Sequence, residues 1–276
     1  MEGNESDLVQ LKAGTPQGSC LSPMLYIIFV NDLTNLVEQD KTNASQYADD
    51  VGLYSSDRNL ETATKNVQSA LDCVIIWCRK WRVIMNAKKT QVILFTKCPS
   101  HKKDNVKLTI YNQVIPTITQ ATYLGVVFDS KLSWEQQITK IANKSYSRLN
   151  LLRAIASLSP KHNPTLLAEL YNSTIRSIFE HSSTCIVSAA NTHIEKLQLI
   201  QNEAQRIILK VPAYMPIVRM NDSGNQINVK NHLILMAKTR IRRLYETSPL
   251  VKATVEKFRK IKPSPYNTSP LDIVQL

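Results

Sequence analysis

Two adjacent carboxylates, Asp49 and Asp50, close the tetrapeptide Tyr47-Ala48-Asp49-Asp50. Neighbouring acids repel and raise each other's pKa unless a cation or an exposed turn relieves them. A solvated turn is the ordinary outcome for an isolated pair, because Asp favours turns. The chemical alternative is a magnesium site. A hard cation takes oxygen ligands, and in phosphoryl transfer such a metal clamps the attacking and leaving oxygens.

The flanking sequence says how the pair would be held. Short strand-like runs, Ala44 to Ala48 and Val51 to Ser55, lie on either side, so the spacing predicts a hairpin with the carboxylates at its tip. Upstream, Gly14-Thr15-Pro16-Gln17-Gly18-Ser19-Cys20-Leu21-Ser22-Pro23 alternates flexible and rigid residues. Gly14 and Gly18 allow close backbone approach, while Pro16 and Pro23 fix the chain on either side. Ser22-Pro23 has the chemistry of a helix start, and the apolar run Met24 to Val30, stopped by Asn31-Asp32, predicts a buried helix.

The order of these parts is more specific than any one of them. A Gly-x-Pro-Gln-Gly-Ser-x-Leu-x-Pro loop, a helix and a Tyr-Ala-Asp-Asp hairpin resemble the palm of reverse transcriptases, in the wording of jockey-like non-long-terminal-repeat retrotransposons. The resemblance implies an α+β fold: a partial polymerase palm, an antiparallel sheet with packing helices, followed by an all-helical thumb and a helical C-terminal region. It implies RNA-directed DNA synthesis, with two magnesium ions aligning a primer 3′-hydroxyl, the α-phosphate and pyrophosphate. The implied partners are an RNA template, a DNA primer and deoxynucleotide triphosphates. Asp49 and Asp50 become metal ligands and catalytic residues, with Asp49 the principal one. Pro16, Gln17 and Gly18 would lie against nucleotide and template, and Tyr47 would pack near the primer end.

Further motifs follow in family order. Asn86-Ala87-Lys88-Lys89-Thr90 resembles the family's Asn-x-x-Lys-Thr segment and assigns Lys89 a catalytic role, neutralising or protonating pyrophosphate; a solvated lysine at a strand entrance explains it equally well. Tyr123-Leu124-Gly125 resembles the primer-holding strand, with Leu124 and Gly125 at the primer. Within a buried strand from Tyr123 to Asp129, Gly125 is also open to reading as a bulge or tight packing site. Leu197-Gln198-Leu199-Ile200-Gln201-Asn202 with Arg206 resembles the jockey-like continuation.

Composition bounds the alternatives. The chain has 276 residues, 43% of them hydrophobic, which is ample for a core. Its 34 Lys and Arg against 22 Asp and Glu give a net charge of +12, which favours a polyanion, with nucleic acid ahead of an acidic membrane surface. No apolar run approaches a bilayer span and no signal pattern opens the chain, so an intracellular protein, nuclear or cytoplasmic and without membrane association, is expected. The five cysteines are scattered and read as reduced core residues, and no histidine is assigned as a ligand.

The remaining chain reads mainly as helix. Leu60, Ala63, Val67, Leu71, Val74, Cys78 and Trp81 recur at helical spacing over Asn59 to Val83, with Trp77 and Trp81 expected in the core. Lys107 to Tyr111 and Val114 to Ile118 suggest a second hairpin. Trp134 to Leu158, Pro164 to Phe179 and Thr192 to Val211 are helical in pattern, and Lys140, Lys144, Arg148 and Arg153 suit a nucleic-acid backbone, although a solvated face explains such charges too. A basic helix from His232 to Tyr245 precedes a proline-punctuated tail from Ser248. The expected division is a partial palm over 1–130, a helical thumb over 131–211, and a basic helix with tail over 212–276. The fingers and the first palm aspartate have no counterpart, so the chain is expected to be inactive alone. The rival readings are a non-catalytic basic nucleic-acid-binding remnant and an intron maturase-type polymerase.

Overall fold

The computed structural model describes residues 14–15, 18–37, 42–96, 106–158, 163–216 and 227–259, with side chains to residue 256. It is mixed helix and small sheets, an α+β arrangement in two compact units, Met1–Leu124 and Gly125–Leu276. Among the described residues no helix is long and apolar enough to cross a membrane.

The first unit is organised on one long helix. Helices α1 (Ser22–Val30) and α2 (Leu33–Val37) lead into strands β1 (Thr42–Tyr47) and β2 (Asp50–Ser55), and then into α3 (Leu60–Trp81). The Asn59 side chain caps α3 by accepting from the Glu61 N–H, and Arg82 closes it in a left-handed conformation (φ +56°). One side of α3 buries Ala70, Val74, Trp77 and Cys78 against Val30, Leu33, Val37 and Ala44. The adjoining side buries Leu71 and Ile75 against Leu108, Ile110 and Ile115. Trp77 Nε1 donates to Asp32 Oδ1 at 2.9 Å, fastening the end of α1 to α3.

Several expectations change here. The run Met24 to Val30 is helical but not buried: Val30 alone joins the core, while Met24 is 63% and Ile28 71% exposed. The run is apolar on every side, so it carries no periodicity from which a buried face could be read. Trp81 is 40% exposed; it packs against Phe29 and Trp77 at the rim rather than within the core. Cys20 is exposed as well, and only Cys78 among the described cysteines is fully buried.

The second expected hairpin is shorter than its pattern. Strand β4 (Thr109–Ile110) pairs antiparallel with β5 (Gln113–Val114) across Tyr111 and Asn112, both at positive φ. Strand β6 (Thr117–Ile118) instead pairs parallel with β3 (Val92–Ile93). The Gln68 side-chain amide on α3 both donates to Thr109 O (3.1 Å) and accepts from Thr109 N–H (2.9 Å), doing for that strand what a neighbouring strand would. The stretch from Tyr123 to Asp129 is not one buried strand. β7 (Gln120–Tyr123) and β8 (Val126–Asp129) are separated by a turn at Leu124 and Gly125, at φ +48° and +81°, and β8 is only half-buried.

The second unit is helical: α4 (Glu135–Leu158), α5 (Pro164–Tyr171), a π-helical turn (Asn172–Arg176), α6 (Ser177–His181), α7 (Ser183–Ile186), α8 (Asn191–Leu209), α9 (Val229–Thr247) and α10 (Pro249–Arg259). Leu149, Leu152, Tyr171, Phe179, Leu197, Ile200 and Leu233 form its centre. The π turn breaks the single helix expected from Pro164 to Phe179, inserting a residue so that Tyr171, Ile175 and Phe179 all point inward. Pro249 starts α10 instead of opening a tail, because proline suits the first turn of a helix. The jockey-like glutamines of α8 are structural: half-buried Gln198 accepts from Val229 N–H (2.8 Å) and donates to Asn202 (2.9 Å), and buried Gln201 accepts from the Tyr171 hydroxyl (3.2 Å).

Candidate active site

Strands β1 and β2 pair residue for residue, from Thr42 with Ser55 to Tyr47 with Asp50, leaving Ala48 and Asp49 as a two-residue turn. Ala48 has φ +51°, a left-handed conformation that costs an L-residue roughly 1–2 kcal/mol. Turns of this kind favour Asn or Gly, so an alanine held there is paid-for backbone strain at the place where the carboxylates sit. Gln46 Nε2 donates to Ala48 O at 3.1 Å and braces the tip. Asp49 and Asp50 are both exposed.

Burial pushes the Tyr26 phenol on α1 up, and the negative charge of Asp49 in the turn adds to the effect. Gly14 and Gly18 take φ +85° and +88° with open space where a Cβ would stand. That is the bare-backbone property expected of the loop, and only glycine adopts it without strain. Pro16 and Gln17 lie outside the described residues.

The middle of the hairpin is fixed by a tyrosine. The Tyr123 hydroxyl lies 3.2 Å from Ser45 Oγ. A Cβ on Gly52, which pairs with Ser45, would stand 3.0 Å from Ser45 Oγ and 3.5 Å from the Tyr123 ring. Glycine at 52 is what lets the ring lie across the two strands. Tyr123 ends β7 and is followed in the turn by Leu124, one of the sequence-predicted primer residues. Tyr47 is 67% exposed at the end of β1.

Lys89 lies in a local turn built by Asn86. Asn86 Oδ1 accepts from Lys88 N–H and Lys89 N–H, and Asn86 O accepts from the Thr90 hydroxyl, so the Asn-x-x-Lys-Thr pattern builds a self-capped turn. The Lys89 side chain is exposed, and among the described residues no hydrogen bond or ion pair joins it to either aspartate. Asp129 is also structural. Its carboxylate accepts from the backbone N–H of Lys131, Ser133 and Trp134, which outweighs partial burial and holds its pKa below the ordinary carboxylate value.

A divalent cation is the test of the aspartate pair. Two adjacent exposed carboxylates give hard oxygen donors, and among the described residues no group of three or more His, Cys, Asp or Glu side chains gathers around a common point. That donor set fits magnesium, which keeps much of its water and is typically held by one or two carboxylates together with substrate phosphates. It does not fit a closed structural metal cage.

In the second unit Lys140, Lys144 and Arg148 recur every fourth residue on the exposed side of α4. Arg153 departs from that stripe: it is ion-paired with Glu203 on α8 and donates to Asn150 Oδ1 at 2.7 Å, so its charge is already used within the fold. Sequence periodicity located the arginine but could not see its partner across the helix pair. Residues 125–276 carry 21 Lys and Arg against 10 Asp and Glu, a net +11 of the whole chain's +12.

The chain is similar to known proteins. Residues 1–128 match the family described as reverse transcriptase (RNA-dependent DNA polymerase). The chain is 28% identical over 212 residues to a probable RNA-directed DNA polymerase from transposon BS of Drosophila melanogaster, covering 74% of this chain and 23% of that protein. It is 27% identical over 219 residues to the RNA-directed DNA polymerase from mobile element jockey of Drosophila funebris, covering 78% and 24%. The corresponding jockey protein of Drosophila melanogaster is 27% identical over 226 residues, covering 78% and 24%. The chain thus spans about a quarter of the length of these curated relatives. No solved structure matches.

Proposed function

We propose, from the premise that this chain belongs over residues 1–128 to the reverse transcriptase family, that it is part of an RNA-directed DNA polymerase of a non-long-terminal-repeat retrotransposon. The observation that carries this reading is the hairpin tip: two exposed carboxylates on a strained two-residue turn, with the charge of Asp49 felt by Tyr26 on the helix of the glycine loop. In this reading residues 1–130 form part of a palm, 131–211 a thumb with its following helices, and 212–276 a basic extension.

Asp49, with Asp50 beside it, would hold magnesium. Bound there, the metal lowers the pKa of the primer 3′-hydroxyl and neutralises charge on the phosphates. The chain's own residues do the positioning. Ala48 holds the turn so that consecutive aspartates project from its end. Tyr123 and Gly52 lock the two strands, so the carboxylates sit on a rigid support rather than a mobile loop. Gly18 gives bare backbone to nucleotide and template, and Tyr47, Leu124 and Gly125 serve the primer. The exposed stripe Lys140, Lys144 and Arg148 follows the phosphate backbone of the hybrid. Lys89 acts on pyrophosphate once the nucleotide is bound.

Two carboxylates are fewer than a two-ion centre uses, so the chain alone binds metal without extending a primer. A chimera tests the function. Residues 14–129 would replace the aligned segment of the Drosophila melanogaster jockey polymerase, and primer extension on an RNA template would be measured. Extension that falls to background with Asp49→Asn supports the reading. A folded, primer-binding chimera that extends equally well with Asp49→Asn, or not at all, contradicts it.

The second reading, a basic nucleic-acid-binding remnant, draws on the charge of residues 125–276. It predicts duplex binding that is indifferent to magnesium and to Asp49→Asn, with a steep salt dependence.

A further inference from the structure

Three helices of the second unit bring cationic and N–H donor groups to one backbone turn. Lys140 Nζ on α4 donates to Gly125 O at 2.9 Å. A Cβ on Gly125 would stand 3.4 Å from His181 Nε2, at the end of α6. An Arg240 guanidinium nitrogen on α9 donates to His181 O at 3.1 Å. The three side chains are 41 and 59 residues apart in sequence, so no linear motif shows them as a set.

Among the described residues neither Lys140 nor Arg240 makes an ion pair. Two acids close in sequence to Gly125 and His181 already have partners: Asp129 accepts from Lys131, Ser133 and Trp134 N–H, and Glu180 pairs with His232 (2.7 Å) and Arg176 (3.9 Å). Lys140 has two more N–H donors and Arg240 four beyond those used in these bonds. Both groups, with His181, are at least partly exposed. A lysine and an arginine with spare donors and no ion pair suit a phosphate group by their chemistry.

We infer that Lys140, His181 and Arg240 form a phosphodiester-binding site at the Gly125 turn, gripping one backbone segment of a bound nucleic-acid duplex. The inference rests on the nucleic-acid reading above and adds to it that α6 and α9, beyond the α4 stripe, take part. Gly125 contributes by having no side chain: at φ +81° a larger residue is strained.

The experiment is fluorescence anisotropy of a short labelled RNA–DNA hybrid bound to the full chain over a series of potassium chloride concentrations. Each lost duplex phosphate contact lowers the slope of log affinity against log salt by about 0.9. Lys140→Gln and Arg240→Gln are each expected to lower the slope by that amount, with thermal midpoints unchanged. Arg240→Lys keeps the charge and is expected to keep the slope. The control is Arg242→Gln, exposed on the same helix about 200° round from Arg240. A slope for Arg240→Gln equal to that of Arg242→Gln, on a chain that binds the hybrid, overturns the site alone. If Arg240→Gln unfolds, Arg240→Lys with a slope reduced as far as that of Lys140→Gln overturns it instead. A wild-type chain that does not bind the hybrid overturns the nucleic-acid reading together with the site.

Discussion

Tyr123 and Ser45, 78 residues apart, place their hydroxyl oxygens 3.2 Å from each other across the space left by Gly52. Through this contact β7, which ends at Tyr123, holds the hairpin that carries Asp49 and Asp50. Gly52→Ala puts a methyl group where Ser45 Oγ and the Tyr123 ring already stand. It is expected to cost about 1–3 kcal/mol, the range for overpacking. Tyr123→Phe, which loses only the hydrogen bond, is expected to cost about 1 kcal/mol. Urea denaturation measures both.

Trp77 supports a second prediction. Its indole N–H is buried and satisfied by Asp32. Asp32→Ala leaves that donor without a partner, so it should destabilise the chain by about 1–3 kcal/mol, more than Trp77→Phe costs once Asp32 is already absent. A double-mutant cycle by denaturation checks the coupling.

Much of this scaffold is readable from sequence, for an identifiable reason. Helix α3 and the β1–β2 hairpin have strong local signals, a three-to-four periodicity and an alternation broken by a polar pair, and both form within two residues of the expected limits. The exposed α1, the turn at Leu124 and Gly125, and the π turn after Tyr171 were not readable. Each depends on what lies across from the segment rather than on its own pattern. Of the site residues, the paired aspartates and glycines are legible as types at a spacing. The Tyr26–Asp49 proximity and the Arg153–Glu203 pair are tertiary facts without a linear signature.

Asp129 gives a pH prediction. Its folded pKa is depressed by three backbone N–H donors, so the contribution is fully present above the unfolded value of about 4 and is lost as pH falls through the lower folded value. Asp129→Ala should cost about 1 kcal/mol at neutral pH, as for a lost cap, and flatten the stability curve on the acid side. Denaturation midpoints measured from neutral to acid pH, in parent and variant, decide it.

The cysteines differ in reactivity for a physical reason. Burial pushes the Cys78 thiol up, and burial pushes Cys185 up against a smaller opposing effect of Arg240, while Cys20 is exposed. Thiolate is the reacting species, so brief iodoacetamide treatment at neutral pH should label Cys20 first. Cys78 and Cys185 should react only after denaturation, as peptide mass spectrometry would show.

The most direct test of the account is whether the hairpin tip binds a divalent cation. Manganese titrated into isotopically labelled chain broadens backbone amide signals near its binding site. The account predicts selective broadening at Tyr47, Ala48, Asp49, Asp50 and Tyr26, reversed by excess magnesium and abolished by Asp49→Asn with Asp50→Asn. Broadening spread over scattered surface carboxylates, or unchanged in that double variant, would contradict it.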